Sequence, residues 1–163
     1  MKQRNESELL RLVAAWCSSG ERCISEVRKK LTAAGASPEV AERMMARLLE
    51  EKFVDESRYC RSFVKDKFRF NGWGRIRIRH ELQRKGIASP VIAEALDELD
   101  EEACRSALSE MLRAKKRTTK GHSDYDIFLK LYRFARGRGF EGALISACLK
   151  PLFNETYDVD EEV

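Results

Sequence analysis

The side chains of this sequence best suited to chemistry are lysines and arginines, and the chemistry they offer is anion binding. Nine bases face only two acids between Arg61 and Lys85, and bases recur between Lys130 and Arg138. Crowded like charges repel one another, and a phosphate backbone or an acidic protein groove relieves that repulsion. We therefore predict a contact surface made by Lys65, Lys67, Arg69, Arg75, Arg77, Arg79, Arg84, Lys85, Arg133, Arg136 and Arg138.

The alternative for these cations is an ordinary solvated helix face. Arg77 and Glu81 are four residues apart and can form an exposed pair worth only about 0.3–0.5 kcal/mol. Aromatic rings among the cations can stack on single-stranded bases. For Phe68 and Phe70 we favour the completion of a small core, whereas Trp73 fits either role.

The other residue types indicate no catalytic site. His80 and His122 are each isolated from any triad and are expected on the surface, and the five cysteines show no paired spacing. The sequence contains no nucleophile elbow, phosphate-binding glycine loop or H-E-x-x-H string. The acids between Glu94 and Glu102 are best explained as a solvated helix face. We predict a binding protein that is not an enzyme and uses no cofactor or metal.

The hydrophobic pattern indicates a cytoplasmic protein. No apolar run approaches the ~18 residues that span a bilayer, and the first eight residues are polar, unlike a secretory signal. Unpaired cysteines are typical of buried, reduced thiols. We therefore expect a reducing compartment and no association with a membrane.

Three glycines mark an internal repeat. Gly35, Gly86 and Gly139, which are 51 and 53 residues apart, each close a helical stretch and precede another. Apolar residues follow each glycine at the same offsets of six, ten and thirteen, which is the spacing of one helix face. Each glycine suits the left-handed position that ends a helix, and Ser37-Pro38 and Ser89-Pro90 suit the start of the next.

A further helical pattern precedes each glycine-ended helix, so each unit of about 50 residues holds three helices. Such a unit is too small to be stable alone, and stacking buries the shared faces. We predict an all-α fold of three tandem three-helix repeats forming an elongated, curved array. The predicted divisions are 1–54, 55–101 and 102–155 for the repeats and 156–163 for an acidic tail.

Specific strings in the second and third units resemble the RecX family, the bacterial modulators of the RecA recombinase. They read FVDESRY from Phe53, GRIRIRHEL from Gly74, KGI from Lys85, LYRF from Leu131 and RGF from Arg138. The resemblance runs from about Glu6 to Phe153 and rests on the order and spacing of the strings.

This resemblance implies tandem three-helix repeats and a regulatory role without catalysis. RecX proteins bind along the groove of the RecA–single-stranded DNA filament and mainly inhibit its recombinase, ATPase and co-protease activities. For this chain we expect a monomer that uses the eleven cations above against that filament. The alternatives are direct binding of single-stranded nucleic acid without RecA, and a helical adaptor for another protein.

Overall fold

The computed structural model describes residues 4–154, 157 and 159, and in that part of the chain regular structure is entirely helical. The all-α class is thereby confirmed. The helices are α1 Glu6–Ser18, α2 Ile24–Ala33, α3 Pro38–Glu50, α4 Glu56–Asn71, α5 Arg75–Arg84, α6 Ser89–Asp97, α7 Glu101–Thr118, α8 Asp124–Gly137 and α9 Gly142–Leu149, followed by a 3-10 turn at Lys150–Leu152.

Local sequence signals set the helix ends. Asn5 and Glu8 form a capping box at the start of α1, and Ser37 accepts a hydrogen bond from the Val40 N–H at the start of α3. At α6 the predicted start was wrong by one residue. Ser89 was expected to precede the helix as its cap, but α6 begins at Ser89 and the carbonyl of Ala88 accepts its first hydrogen bonds.

The three repeat-marking glycines end helices as predicted. Their φ angles are +97° at Gly35, +80° at Gly86 and +92° at Gly139. A residue with a Cβ rarely adopts this left-handed conformation, so the glycine determines where each helix stops.

Within the described residues the nine helices form three tandem three-helix repeats, α1–α3, α4–α6 and α7–α9, which confirms the predicted repeats. The chain also divides into two compact units. The first unit comprises Met1–Phe63 with Glu81–Ala95, and the second comprises Val64–His80 with Leu96–Val163. The repeat divisions at 54/55 and 101/102 stay a prediction.

The first unit has its own core where α1, α2 and α3 meet. Val13, Val27 and Leu31 are completely buried there and Leu48 almost so. Each such side chain contributes about 1.5–3 kcal/mol by leaving water. The apolar positions predicted for this repeat therefore face one interior.

The α3–α4 connection is held by Asp55 and Arg58, two residues of the family-like string. The Asp55 carboxylate accepts the Arg58 backbone N–H at 3.0 Å, which caps the start of α4. The Arg58 guanidinium donates to Glu21 at 2.6 Å and to the carbonyl of Lys52 at 3.1 Å. These side chains thus have a structural role.

The second unit has its own core, formed by α7, α8 and α9. Leu108, Leu112 and Leu131 are completely buried, and Phe128 packs edge-on against Phe153 with ring centroids 5.6 Å apart. Tyr157 adds a third ring, 5.2 Å from Phe128. The chain after α9 therefore returns to the core at this point. The rest of the predicted acidic tail 156–163, apart from positions 157 and 159, lies outside the described residues.

Two composition-based expectations can be compared with the burial pattern. All five cysteines are buried and unpaired, and both histidines are exposed, as predicted. Across the described ranges, none of the helices is long and apolar enough to cross a membrane.

Candidate functional site

The eleven predicted contact residues differ in exposure. Six are exposed, namely Lys65, Arg69, Arg79, Arg84, Arg133 and Arg136. Five are half-buried, namely Lys67, Arg75, Arg77, Lys85 and Arg138. The half-buried cations hold the fold together, whereas most of the exposed ones are available to a partner.

A backbone junction within the second unit joins the start of α5 to the end of α8. The N–H of Gly74 donates to the carbonyl of Arg138 at 2.8 Å, and that of Ile76 donates to Gly139 at 3.0 Å. The first N–H groups of a helix have no partner inside it, so these carbonyls cap α5. We call residues 71–77 and 137–140 together the loop junction. It unites two strings that carry the family resemblance.

Two glycines of this junction, Gly74 and Gly139, are required by close approach. A Cβ on Gly74 would lie 2.5 Å from the Gly139 carbonyl oxygen, and one on Gly139 would lie 2.6 Å from the Arg77 nitrogen. Neither distance is compatible with a real side chain. The two backbones can therefore pair only because both residues are glycine.

Two of the predicted contact arginines tighten the same junction. The Arg77 guanidinium donates to the Gly137 carbonyl at 3.4 Å, and the Arg138 guanidinium donates to the Asn71 carbonyl at 2.9 Å. Gly137 and Asn71 end α8 and α4, where carbonyls lack helical partners and the helix dipole favours a cation. Both arginines thus act first as helix caps.

Trp73 lies at the centre of the loop junction between two cations. The Arg77 guanidinium lies 4.2 Å from the centroid of its ring, and the Lys67 ammonium lies 5.1 Å away. Such contacts are worth about 0.5–2 kcal/mol, depending on desolvation. Of the two roles considered for Trp73, the geometry supports the structural one directly.

Arg75 and Arg136 also make structural contacts within the second unit. Arg75 donates to the Leu99 carbonyl at 2.7 Å and is half-buried. Arg136 reaches the Phe140 carbonyl at 3.4 Å but remains exposed. Arg75 is therefore committed to the fold, whereas Arg136 keeps most of its donors free.

Lys85 lies in a partly buried polar cluster of the first unit. The sequence predicted an exposed contact residue, but Lys85 is half-buried and close to an acidic side chain. Its ammonium lies 3.9 Å from the Glu26 carboxylate and about 6 Å from the rings of Tyr59 and Phe63. Glu26 also accepts the backbone N–H and the thiol of Cys23, each at 3.1 Å. Burial acts to raise the pKa of Glu26, but these hydrogen bonds and the Lys85 charge outweigh it and lower the pKa.

Arg84 is the second predicted contact residue of the first unit. It is exposed and lies 3.7 Å from Glu81, three residues earlier in the same helix. An exposed pair of this length contributes only a few tenths of a kcal/mol. Arg84 therefore remains accessible to a stronger anionic partner.

Four of the predicted contact residues are exposed and lack a carboxylate partner among the described residues: Lys65, Arg69, Arg79 and Arg133. All four belong to the second unit. Lys65 and Arg69 are four residues apart on α4 and share a helix face. We refer to these four residues as the open cations.

Phe70 is exposed rather than buried in a core, and its ring lies beside the open cation Arg69. The core placement expected for Phe70 was wrong, because 72% of its surface is exposed, while Phe68 is half-buried. The Arg69 guanidinium lies 5.4 Å from the Phe70 ring centroid. An exposed ring beside a free cation is a feature of surfaces that bind single-stranded nucleic acid.

Sequence reasoning missed one cation–aromatic cluster in the first unit. The Trp16 ring lies 4.3 Å from the Arg22 guanidinium and 5.2 Å from the Lys30 ammonium. These residues are separated along the sequence by the α1–α2 turn, and no spacing rule joins them. The contact fastens that turn to the end of α1.

Among the described residues we find neither a metal site nor an activated thiol at Cys60. Within residues 4–154, 157 and 159, no group of three or more histidine, cysteine or acidic side chains is placed to hold a metal ion. Burial raises the pKa of the Cys60 thiol to about 11, with help from the Glu56 charge. Such a thiol is a poor nucleophile at neutral pH.

Comparison with known proteins gives the family. Residues 55–96 match the family description "RecX, second three-helix domain". The chain is 37% identical over 127 residues to the regulatory protein RecX of Pseudomonas fluorescens strain SBW25, covering 76% of this chain and 78% of that protein. The chain belongs to the RecX family. RecX of Clostridium botulinum strain Alaska E43 is 32% identical over 162 residues, covering 94% of the chain and 74% of that protein.

Solved RecX structures share the fold. The crystal structure of RecX from Lactobacillus salivarius covers 90% of this chain and 96% of its own, with a TM-score of 0.82 at 17% identity. A second RecX crystal structure also gives 0.82, at 19% identity, covering 89% of this chain. The chain spans 63% of the length of another C. botulinum RecX, from strain Eklund 17B.

Proposed function

We propose that this chain regulates RecA by binding the RecA–single-stranded DNA filament, and that it does so in the cytoplasm as a monomer without catalysis. Its relatives are named regulatory protein RecX, and the family resemblance supplies the partner. Inhibition of RecA's recombinase, ATPase and co-protease activities is the proposed outcome.

The observation that carries this proposal is the set of open cations in the second unit. Lys65, Arg69, Arg79 and Arg133 retain their full charge at the surface, unneutralised by any carboxylate of the described chain. Their attraction to an anionic groove is therefore not offset internally. Of the half-buried cations, Arg77 and Arg138 act indirectly, by fixing the loop junction from which α5 starts.

The proposed mechanism requires only occupancy. Helical repeats seated in the filament groove exclude the incoming duplex and impede the subunit motions that accompany ATP hydrolysis. Each open cation that meets a phosphate releases counterions, so this contact weakens as salt rises.

A second candidate function is direct binding of single-stranded nucleic acid without RecA. The exposed Phe70 ring beside Arg69 favours it, because a ring and a cation together hold a base and its phosphate. The helical-adaptor alternative has no such specific observation in its favour.

The deciding experiment measures RecA ATP hydrolysis and strand exchange with and without the chain, and in parallel its binding to bare oligo-dT over a range of salt. Inhibition of RecA with much weaker binding to bare strands supports the filament proposal. Equal affinity for bare strands and filaments favours the second candidate. If neither binds at low salt, the chain is an adaptor for another partner.

A further inference from the structure

Lys115 on α7 is an exposed cation that is not among the predicted contact residues. Its ammonium lies 4.9 Å from the centroid of the Phe134 ring on α8, and the Arg138 guanidinium lies 5.3 Å from the same centroid. Neither cation has a carboxylate partner among the described residues. Two positive charges that no acid neutralises therefore meet at one aromatic ring.

These side chains adjoin the end of α4. Arg138 donates to the carbonyl of Asn71, the last residue of α4, at 2.9 Å. A Cβ on Gly72 would lie 2.9 Å from the methyl carbon of Met111, so the chain that leaves α4 contacts α7 there. Lys115 follows Met111 by one turn on the same face of α7. All of these contacts lie within the second unit.

Phe70 adds an exposed ring at the end of α4. Its surface is 72% exposed, and the Arg69 guanidinium lies 5.4 Å from its ring centroid. Phe70 immediately precedes Asn71, whose carbonyl accepts from Arg138. The exposed ring and its cation thus adjoin the cations at Phe134. We refer to Arg69, Phe70, Lys115, Phe134 and Arg138 together as the ring–cation surface.

The exposed ring indicates which anionic partner this surface fits. The carboxylates of an acidic protein groove would pair with the cations alone and leave the Phe70 ring in water. A single strand satisfies both groups, since its phosphates attract the cations and the flat face of any base stacks on a ring. The combination of cations and an exposed ring therefore favours a single strand over an acidic protein surface.

We propose that the ring–cation surface contacts the DNA of the RecA filament rather than the RecA protein. Phe70 stacks on a base, and Arg69 and Lys115 bind phosphates beside it. Arg138 adds positive charge from a half-buried position while it holds the end of α4. This contact rests on the function proposed above, and Lys115 joins the residues that make it.

The salt dependence of oligo-dT binding tests the role of Lys115. Each phosphate contact of a single strand contributes about 0.7 to the slope of log affinity against log salt. Lys115→Gln should reduce the slope by about 0.7 and weaken binding about fivefold at about 0.1 M salt, the factor that this slope gives over one decade of salt. The matched control is Arg117→Gln, which removes the same charge from an exposed residue on the opposite side of α7 and should change neither quantity.

Photochemical cross-linking tests the contact inside the filament. RecA filaments assembled on an oligonucleotide that carries iodouracil, and the bare oligonucleotide in parallel, are irradiated with the full chain present. Mass spectrometry then locates the cross-linked residue. We expect the cross-link at Phe70, because photoactivated iodouracil couples to an aromatic ring stacked on it, and Phe70→Leu should lose it. Lys115→Gln should also inhibit RecA ATP hydrolysis about fivefold more weakly, whereas Arg117→Gln should inhibit it as the unaltered chain does.

The possible results separate this contact from RecA regulation as such. RecA inhibition without a cross-link at Phe70 would mean that the surface meets RecA protein, and the proposal would be overturned while the regulatory function stands. Equal salt slopes in the unaltered chain, Lys115→Gln and Arg117→Gln would remove Lys115 from the contact. A cross-link at Phe70 and a reduced slope in Lys115→Gln, without inhibition of RecA, would support the single-strand contact and contradict the regulatory function.

Discussion

Arg77 and Arg138 exchange helix caps across the loop junction: each arginine caps the end of the helix that precedes the other in the sequence. Arg77 donates to the carbonyl of Gly137, the residue immediately before Arg138, and Arg138 donates to the carbonyl of Asn71, where the helix preceding Arg77 ends. Each guanidinium thus neutralises the negative end of a helix. The exchange shows that a high local density of arginine can have a structural cause as well as a binding role.

The loop junction should be intolerant of a side chain at Gly139. We expect Gly139→Ala to lower the free energy of unfolding by roughly 2–4 kcal/mol, because alanine is disfavoured at φ +92° and its Cβ would crowd Arg77. Urea unfolding followed by circular dichroism measures the loss. The matched control is Gly137→Ala, whose Cβ would meet nothing within 4 Å. It should be neutral or stabilising by up to about 1 kcal/mol, and equal losses in both variants would contradict this account.

Reversing the charge of open cations should weaken RecA inhibition strongly without unfolding the protein. The triple variant Lys65→Glu, Arg69→Glu and Arg79→Glu alters exposed side chains only, whereas Arg75 and Arg77 support the fold and are unsuitable for this purpose. We expect at least about tenfold weaker inhibition of RecA ATP hydrolysis, from three contacts of about 0.5 kcal/mol or more each.

The control for charge reversal changes three exposed cations outside the predicted surface, Arg11→Glu, Lys29→Glu and Arg113→Glu. It carries the same change in net charge and should inhibit RecA as the unaltered chain does. Were both triple variants to lose inhibition equally, net charge rather than the open cations would be responsible.

Phe70 should contribute to binding of bare single strands if its ring stacks on a base. Phe70→Leu keeps an apolar side chain but removes the ring, and we expect a loss of about 1–3 kcal/mol in oligo-dT affinity. Because Phe70 is 72% exposed, thermal stability should be unchanged. Phe70→Tyr retains the ring and should bind normally. Unchanged oligo-dT affinity in Phe70→Leu would remove the ring from the binding surface.

The Glu26 cluster should make stability depend on pH in acid. The folded state lowers the pKa of Glu26 from its ordinary value of 4.5, so the ionised carboxylate stabilises the protein above pH 4.5. That contribution is lost as pH falls through the lowered pKa. We expect Glu26→Gln to cost about 1 kcal/mol at pH 7 and progressively less below pH 4.5.

Unfolding by urea at several pH values measures this dependence. Glu42→Gln is the control, since Glu42 pairs with Arg28 on an exposed surface and should change stability little at any pH. A Glu26→Gln difference that stays constant from pH 7 to pH 3 would show that the Glu26 charge does not stabilise the fold.

The Cys60 thiol should be unreactive in the folded protein. With a pKa raised to about 11 by burial, only about 0.1% of it is thiolate at pH 8, and no part of the residue is exposed. We expect negligible native-state alkylation by iodoacetamide and full labelling of all five cysteines in urea. Mass spectrometry locates the label, and rapid native labelling at Cys60 would contradict the observed burial.

Helix content and repeat organisation were predictable because both rest on local rules. Apolar spacing of three and four residues marks a helix face wherever it occurs, and glycine at Gly35, Gly86 and Gly139 ends a helix for reasons internal to the backbone. Ile78 and Leu82, which the same spacing assigns to the core, are both completely buried. These features need no knowledge of distant neighbours.

The role of each cation was not predictable in the same way. Arg77 and Arg79 are two residues apart in one string, yet Arg77 caps α8 sixty residues away while Arg79 is exposed. Phe68 and Phe70 likewise differ in burial although their sequence surroundings are alike. For the two arginines the cause is the long-range approach of the end of α8, which is absent from any local pattern.

By itself, the sequence determined an all-helical, three-repeat chain with a concentration of positive charge in its second and third repeats, since helix formation and net charge depend on residue type and short-range spacing. Only the tertiary structure decided which of those charges are committed to the fold and which remain open. The physical reason is that a guanidinium's partners are carbonyls and rings brought near by packing, as Gly137 and Trp73 are to Arg77.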